Sequence, residues 1–393
     1  MSETIVRIAA GGDGVTGSGR HFALAAPGDT IDDTGALSPG PHHQVPPCRH
    51  FPECGGCQLQ HVDDAAYSAY LVDRVAGALA QHDLATDIRD PHLSPPRSRR
   101  RATLRALRAG KGVVLGFNAE RSHRVIDMRE CHVLLPEMFA LVAPLRSLLA
   151  TLLGRKAAGE VRMTLCDQGV DVALSGVVAE GLAAAEALTD FADRYALARL
   201  SLDEGFGPEV RYEPRPATVT LSGTPVALPP GAFLQATEDG EGALVAAVLD
   251  AVSQPSRSAD LFAGLGTFTL ALPGQVYAAE AARDAVLALK AARPGQPAEH
   301  RDLYRRPLTA EELAGFDSVV LDPPRAGAEA QVRELAGSMV PRLAYVSCNP
   351  ATFARDARLL VDGGFALDWV KPVGQFRWST HIELAAAFSR GAG

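Results

Sequence analysis

One cysteine, Cys348, stands where a reactive side chain could be used. The apolar run Leu343–Val346 leads up to it, and Asn349 and Pro350 follow it. Buried parallel strands are short apolar runs and proline cannot continue one, so Cys348 is predicted just past the carboxyl end of a strand. Ligands bind at that edge of open α/β sheets, where a thiol can act as a nucleophile. For a single cysteine, however, packing in the core is the commoner role.

A glycine-containing turn predicts a cofactor site at the same edge. Asp260–Phe268 runs from a predicted strand into Gly264 and Gly266, and such a turn lets a ligand approach the backbone closely. Glu280, 16 residues after Gly264, ends the next predicted strand and could accept hydrogen bonds from ribose hydroxyls. Thr269 occupies the place of the third glycine of dinucleotide-binding sequences, which favours S-adenosylmethionine over NAD.

Two further predicted strands end at carboxylates, Asp302 and Asp322. Parallel strands end at a common edge, so the prediction is that one edge collects five polar side chains: Asp260, Glu280, Asp302, Asp322 and Cys348. Packing of a core does not explain five such strand ends. For Asp302 there is an alternative, because acidic residues are also common caps at helix starts.

Three cysteines are closely spaced in a loop rich in glycine and proline, as Cys48-x5-Cys54-x2-Cys57, and Cys131 follows at a distance. We expect a cytoplasmic protein, in which disulfides are rare. Four thiolates suit either a [4Fe–4S] cluster or a zinc ion. Cys166 has no partner cysteine nearby in the sequence and is predicted to be structural.

The length of the chain predicts more than one domain, since 393 residues exceed a usual single core. Beyond Phe233, apolar strands alternate with helical segments, which predicts a doubly wound α/β domain over residues 231–393. Residues 41–230 contain hairpins and helices, one of them predicted over Asp63–Gln81, and indicate a central α+β domain. Residues 1–40 are rich in glycine and contain two or three short strands.

Charge and hydropathy limit the possible partners. The formal net charge is −8, but Arg97–Arg129 contains ten Lys and Arg residues and only two acidic ones. This basic stretch predicts contact with a polyanion such as RNA, and a solvated charged surface is the alternative. No apolar run approaches the roughly 20 residues that span a bilayer, so no membrane contact is expected.

Several segments together resemble the RNA 5-methyluridine methyltransferases, and the cysteines resemble the iron–sulfur subgroup that methylates 23S ribosomal RNA. The segments occur in that family's order over residues 230–388. They are Phe233–Gln235, Asp260–Gly266, Leu321–Gly327, Ser347–Asp356 and His381–Glu383. The resemblance implies a methyltransferase sheet, S-adenosylmethionine as the methyl donor and a [4Fe–4S] cluster on Cys48, Cys54, Cys57 and Cys131.

The resemblance also implies a mechanism. Cys348 would add to C6 of uracil, C5 would then attack the methyl group, and Glu383 would remove the C5 proton. The cofactor pocket would contain Gln235, Phe262, Gly264, Glu280, Asp302 and Asp322. The target uridine would be unstacked, most readily in a single-stranded RNA loop.

The N-terminal 40 residues resemble the start of the small RNA-binding barrel called TRAM, without its second half. We expect a monomer that acts on RNA. Three alternatives remain at this point: a transfer RNA substrate, an amino-group methyltransferase with a related Asp322–Pro324 motif, and a non-catalytic iron–sulfur RNA-binding protein.

Overall fold

The computed structural model describes residues 2–391. Two compact units are present, and each is assembled from separate segments of the chain. The first contains Met1–Tyr70, Pro95–Thr218 and Phe376–Thr380, and the second contains Leu71–Ser94, Val219–Gln375 and His381–Gly393. The domain boundaries near residues 40 and 230 stay a prediction from the sequence.

The first unit begins with a five-stranded sheet, although only two or three strands were predicted. Its strands are arranged in the order β3-β2-β1-β4-β5. The additional hairpin of β4 and β5 closes over Asp32, whose Oδ1 accepts hydrogen bonds from the backbone N–H groups of Thr34 and Ala36 at 2.9 and 2.8 Å. The strands are β1 (Glu3–Ile8), β2 (Gly14–Thr16), β3 (His21–Phe22), β4 (Thr30–Ile31) and β5 (Leu37–Ser38).

The predicted helix after the cysteine loop is confirmed as α1 (Asp64–Ala80). Asp63 caps it, because its Oδ1 accepts a hydrogen bond from the N–H group of Ala66 at 2.8 Å. Two short strands follow and belong to the second unit: β6 (Asp87–Ile88) and β7 (His92–Leu93).

A six-stranded sheet in the order β13-β12-β11-β10-β8-β9 is the main element of the first unit. Alternate side chains of β8 and β10 are buried, and these pack with three helices into one hydrophobic core that includes Leu104, Leu145 and Val161. The elements are β8 (Arg101–Ala109), β9 (Gly112–Gly116), α2 (Pro136–Ala140), α3 (Val142–Leu152), β10 (Ala158–Cys166), β11 (Gly169–Ser175), α4 (Leu182–Arg194), β12 (Arg199–Asp203) and β13 (Pro208–Tyr212).

The second unit alternates strands and helices as predicted. After the small β14–β15 pair, α5 packs against β20 and β22 of the large sheet. The elements are β14 (Thr218–Leu221), β15 (Thr224–Ala227), α5 (Glu238–Val252), β16 (Arg257–Leu261), β17 (Gln275–Glu280), α6 (Arg283–Ala292), β18 (Ala298–His300), β19 (Ser318–Leu321), α7 (Glu329–Ala336), β20 (Arg342–Ser347), α8 (Pro350–Asp362), β21 (Ala366–Gly374) and β22 (Glu383–Ser389).

The large sheet has nine strands in the order β18-β17-β16-β19-β20-β22-β21-β6, and β7 pairs with β21 as well. The strands from β18 to β20 are parallel, whereas β22 is antiparallel to both of its neighbours. The expected α/β fold is therefore confirmed. In the described part of the chain, residues 2–391, there is no helix long and apolar enough to cross a membrane.

Candidate active site

Most of the predicted site residues meet at the carboxyl edge of the parallel strands. Glu280 is the last residue of β17, Asp322 follows β19 and Cys348 follows β20. Asp260 lies inside β16, one residue before its end, and is fully buried. The prediction for Asp302 is wrong in its position, because β18 already ends at His300.

Asp302 begins a turn and does not end a strand. Its Oδ1 accepts hydrogen bonds from the backbone N–H groups of Tyr304 at 3.0 Å and Arg305 at 3.3 Å. No helix begins here, so Asp302 is not the helix cap that was the alternative, and its contacts follow from the preference of aspartate for turns in which its side chain binds its own backbone. A contact between Asp302 and a cofactor stays a prediction.

The glycine-containing turn is held by Glu280. The carboxylate accepts hydrogen bonds from the N–H group of Gly264 at 2.9 Å and from that of Ala282 at 2.7 Å. Phe262 has a φ of 63° in this turn, which is uncommon for a bulky residue and indicates local strain. These hydrogen bonds fix the backbone of the turn, and the space beside Gly264, where a Cβ atom would lie, is empty.

Gln235 reaches the same edge from the segment before α5. Its Nε2 donates to Oδ2 of Asp322 at 3.4 Å, and its Oε1 accepts a hydrogen bond from Gln375 at 2.9 Å. Gln375 in turn accepts a hydrogen bond from the N–H group of Ala236 at 2.8 Å. Both glutamines are buried, so Gln375 fixes the amide orientation of Gln235. Nothing in the sequence identified Gln375 as part of this site.

The carboxylates at this edge destabilise one another's charged forms. Burial raises the pKa of Asp260 to about 6, although hydrogen bonds from Thr269 counteract this. The pKa of Asp322 is raised well above its ordinary value by burial first and then by the negative charges of Glu383, Asp260 and Glu280. Such a cluster attracts a cation, which would relieve the repulsion.

Cys348 and Glu383 are brought together by strand register. The antiparallel pairing of β20 with β22 extends to Ser347 and Leu384, and one position further lie Cys348 and Glu383, opposite each other. Glu383 is buried and Cys348 is half-buried. Burial, followed by the charge of Glu383, raises the pKa of the Cys348 thiol, whereas Arg325 lowers it.

Arg325 lies at the exposed side of this pair. Its Nη2 is 2.9 Å from Nδ1 of His381, two residues before Glu383. The loop Asp322–Gly327 therefore supplies a cation close to the half-buried thiol, and that cation favours the thiolate form. The sequence motif contained Arg325, but neither spacing nor composition indicated this electrostatic contact.

Asn349 and two side chains of α8 hold two of three consecutive carbonyl groups of this loop. The carbonyl of Arg325 accepts hydrogen bonds from Asn349 and Thr352, both at 3.1 Å, and that of Ala326 accepts one from Arg355 at 3.0 Å. Asn349 also caps the helix by accepting a hydrogen bond from Ala351. Spacings of three residues put such side chains on one helix face, a signal already present in the sequence.

The third carbonyl, that of Gly327, accepts a hydrogen bond from the hydroxyl of Tyr304 at 3.0 Å. The ring of Tyr304 packs on Phe262 with a centroid distance of 5.5 Å. Tyr304 thus joins the turn after β18, the glycine-containing turn and the Asp322–Gly327 loop. Sequence reasoning missed it, because a lone tyrosine in a loop carries no recognisable pattern.

Asp356 lies in the core and anchors Arg355, one of the side chains that hold the Asp322–Gly327 loop. Its Oδ2 accepts hydrogen bonds from the Tyr345 hydroxyl at 2.6 Å and the N–H group of Ala328 at 2.7 Å, and its Oδ1 accepts two from Arg355. Asp356 is fully buried, and the Tyr345 hydroxyl and the Ala328 N–H group would lose this acceptor if the carboxylate were removed.

The four cysteines of the predicted metal centre share one pocket in the first unit. Among residues 2–391, however, no three His, Cys, Asp or Glu side chains are arranged to hold a metal ion. Burial raises the pKa of Cys48 to about 11 and that of Cys57 to about 12. Four thiols around a single pocket are nevertheless a donor set that suits an iron–sulfur cluster or zinc. They are Cys48, Cys54, Cys57 and Cys131.

A cation lies beside this pocket. The guanidinium of Arg99 lies against the rings of Phe117 and Phe376, 5.6 and 5.2 Å from their centroids. Burial lowers the pKa of Arg99, and the thiolate forms of Cys57 and Cys131 raise it. Thiolates at these two cysteines would therefore be favoured by the charge of Arg99.

The architecture first defines the fold, which is a mixed α/β fold. The chain matches the crystal structure of Pyrococcus abyssi tRNA (uracil-54, C5)-methyltransferase in complex with S-adenosyl-L-homocysteine, with a TM-score of 0.75. The match covers 99% of each chain at 21% sequence identity, and at this identity it establishes the fold.

Sequence relatives then define the family. Residues 298–390 match the family described as tRNA (Uracil-5-)-methyltransferase. An uncharacterized RNA methyltransferase of Zymomonas mobilis is 50% identical and covers 98% of this chain and 99% of its own. The 23S rRNA (uracil(1939)-C(5))-methyltransferase RlmD of Pectobacterium atrosepticum is 31% identical, over 91% of this chain and 82% of its own. The chain belongs to the RNA uracil-5-methyltransferase family.

The buried contacts of Asp356 make a prediction about stability. Asp356→Ala leaves the Tyr345 hydroxyl and the Ala328 N–H group without acceptors, so the free energy of unfolding should fall by about 3 kcal/mol. Urea denaturation followed by circular dichroism measures this change. Asp362→Ala on the same helix is the control, because its side chain is 62% exposed and it should change stability by at most about 0.5 kcal/mol. Equal effects of the two variants would contradict the assignment.

Proposed function

We propose that this protein transfers the methyl group of S-adenosylmethionine to C5 of a uridine in 23S ribosomal RNA. The observation that carries the proposal is the position of Cys348 opposite Glu383, at the edge where Asp260 and Asp322 form an acidic cluster. A nucleophile and a base side by side match a reaction that needs both. The amino-group methyltransferase alternative does not use such a thiol, because an amine attacks a methyl donor without covalent activation.

The chemistry follows from the weakness of uracil C5 as a nucleophile. The Sγ atom of Cys348, as a thiolate, adds to C6, and the electron pair of the C5–C6 bond moves toward C5 and O4. C5 then attacks the methyl group of the sulfonium, and the sulfur of the cofactor keeps the electron pair of the broken bond. Glu383 removes the C5 proton, and elimination of the thiolate restores the double bond.

The acidic cluster has a role in cofactor exchange. S-adenosylmethionine carries a positive sulfonium, and its product S-adenosylhomocysteine does not. Burial and then three neighbouring carboxylates raise the pKa of Asp322. Such a cluster binds a cation more favourably than it binds the neutral product. Gln235, Phe262, Gly264, Glu280 and Asp302 would line the remainder of the cofactor pocket, with Glu280 fixing the turn at Gly264.

The choice of ribosomal RNA over transfer RNA rests on two supports. The relative of 31% identity is named as a 23S rRNA methyltransferase, and the four cysteines share a pocket as the iron–sulfur subgroup requires. Transfer RNA remains the second candidate because the matched family and the matched crystal structure are both named for it. In either case the uridine must leave its stack to reach Cys348, which favours a single-stranded loop.

We further propose that Cys48, Cys54, Cys57 and Cys131 hold a [4Fe–4S] cluster. The common pocket and the cation of Arg99 beside it support this assignment, and zinc is the alternative. A cluster would tie the loop of Cys48–Cys57 to the segment of Cys131 within the first unit. Its contribution would be structural, since the transfer reaction needs no electron.

The first prediction of the proposed function concerns the two side chains Cys348 and Glu383. Cys348→Ala should not restore 5-methyluridine when it is expressed in a deletion strain, because no adduct forms without the thiol. Glu383→Gln should accumulate a methylated RNA that stays covalently bound to the protein, visible as a retarded band in a denaturing gel, because the C5 proton is not removed.

Cys166→Ala is the matched control, since Cys166 belongs to the first unit and takes no part in the reaction. Mapping 5-methyluridine in total RNA of the deletion strain identifies the substrate. If 5-methyluridine is lost from transfer RNA alone, the substrate is transfer RNA and not 23S ribosomal RNA. Full activity of Cys348→Ala would exclude covalent catalysis.

The second prediction concerns pH. The pKa of Cys348 is raised, so the thiol is mostly protonated at neutral pH and the thiolate fraction grows about tenfold per pH unit below that pKa. Single-turnover methyl transfer should accordingly become faster from pH 6.5 to about pH 8.5. Arg325→Ala should shift the profile to higher pH, whereas Arg325→Lys should shift it less. A flat profile would mean that thiolate formation does not limit the reaction.

The third prediction concerns the metal. Protein purified without oxygen should contain about four iron and four sulfide per chain, and Cys54→Ser should lose both and unfold at lower temperature. Elemental analysis and visible absorbance measure this. Cys166→Ser should keep its iron. One zinc per chain in the wild type would establish the zinc alternative.

A further inference from the structure

Four loops of the first unit lie at one edge of its six-stranded sheet. The register aligns Arg105, Glu160, Ser175 and Asp203 in one row across β8, β10, β11 and β12. Four connecting segments therefore leave the sheet on the same side. They are the turn after β8, the segment before β10, the segment after β11 and the turn after β12. We call this edge the sheet-edge surface and define it by Lys111, Arg155, Lys156 and Phe206.

Three cations of this surface are available to a partner. Lys111, Arg155 and Lys156 are exposed and form no hydrogen bond or ion pair with another of residues 2–391. Of the three, only Lys111 belongs to the basic stretch Arg97–Arg129, in which Arg105 pairs with Glu160 and Arg124 pairs with Glu53. The unpaired charges, not the whole stretch, are thus the best candidates for contact with a polyanion.

Phe206 is presented at the tip of the β12–β13 hairpin and is fully exposed. The Oδ1 atom of Asp203 accepts hydrogen bonds from the N–H groups of Gly205 at 2.9 Å and Gly207 at 3.1 Å. Both glycines have φ near +100°, a conformation that favours glycine, so the backbone on each side of the ring is fixed. The exposed ring is therefore held in an ordered turn where it is free to stack on the flat ring of a partner.

Carboxylates at this edge offset part of the positive charge, and two of them, Glu204 and Glu209, form ion pairs with Arg211. Asp203 is engaged in the hairpin, Glu160 with Arg105, and Glu204 with the N–H group of Ala179 at 3.2 Å. Glu180 is exposed and offsets one charge. The sheet-edge surface therefore combines three cations that have no partner among residues 2–391 with one exposed aromatic ring.

We propose that the sheet-edge surface docks a single-stranded segment of the RNA substrate, in which Phe206 stacks on an unpaired base and the three cations contact phosphates. Cations along a backbone path together with an aromatic platform are the combination by which proteins bind single strands. Three strand spacings separate β8 from β12, about 14 Å, so the segment crosses the edge of the sheet. The proposal rests on the RNA substrate of the proposed function and adds a contact outside the Cys348 site.

Two variants test the proposal on the full-length protein, with a transcript of whichever RNA the wild type methylates. Phe206→Ala should weaken RNA binding about 5- to 100-fold, the effect of losing one stacked base. The triple variant Lys111→Gln/Arg155→Gln/Lys156→Gln should reduce the slope of log Kd against log salt by about 2, since each phosphate contact to a single strand contributes about 0.7. Filter binding at several salt concentrations measures both.

The matched controls lie in the second unit. Met339→Ala removes another exposed apolar side chain, and Arg283→Gln/Lys290→Gln/Arg293→Gln removes the same number of exposed charges. Neither control should change RNA affinity beyond about twofold. At saturating RNA the single-turnover rate of every variant should equal that of the wild type, because the Cys348 site is unchanged.

Three outcomes would overturn the proposal. Wild-type affinity and salt slope in both test variants would show that RNA does not use this surface. A slower reaction at saturating RNA with unchanged affinity would show a role in catalysis instead. If the wild type binds another protein, and Phe206→Ala abolishes that binding but leaves RNA affinity unchanged, the surface would be a protein-docking surface. Absence of methyl transfer by the wild type itself would instead contradict the proposed function.

Discussion

The antiparallel pairing of β22 with β20 is the interaction on which the proposed active site depends. The other strands of this part of the sheet are parallel, and each delivers its side chains to the carboxyl edge after its last residue. Because β22 runs the opposite way, its first residue, Glu383, reaches the same edge where Cys348 follows β20. One reversed strand therefore places Glu383, the proposed base, beside Cys348, the proposed nucleophile, without a long connecting loop.

The crowding of carboxylates at this edge has an energetic cost, and that cost is visible in the raised pKa of Asp322 and Asp260. Repulsion of this kind weakens the folded protein but strengthens binding of a cation. Hydrogen bonds offset part of it, since Thr269 donates to Asp260 at 2.5 Å and Gln235 donates to Asp322. The edge is thus prepared for the positively charged methyl donor of the proposed function.

Rigidity of the loops around Cys348 has an equally local origin. The three carbonyl groups of Arg325, Ala326 and Gly327 are held by Asn349, which caps α8, by Thr352 and Arg355 of α8, and by the hydroxyl of Tyr304. The helix that begins two residues after Cys348 therefore also fixes the loop that carries Arg325 and Asp322. Functional side chains held by such a second layer of contacts stay close to the geometry that a reaction needs.

The sequence by itself determined the parallel part of the large sheet and the positions of Glu280, Asp322 and Cys348, because short apolar runs with polar ends report buried strands directly. It also determined which family motifs are present, and the comparisons confirmed that family. Asp302 was misplaced because one acidic residue suits a strand end and a turn equally well. Only the tertiary structure decided the neighbours of these residues: Gln375 beside Gln235, Tyr304 on Phe262, and Lys111 on the same edge as Phe206. Contacts between residues far apart in the chain depend on strand order and register, and no local pattern of residues encodes those.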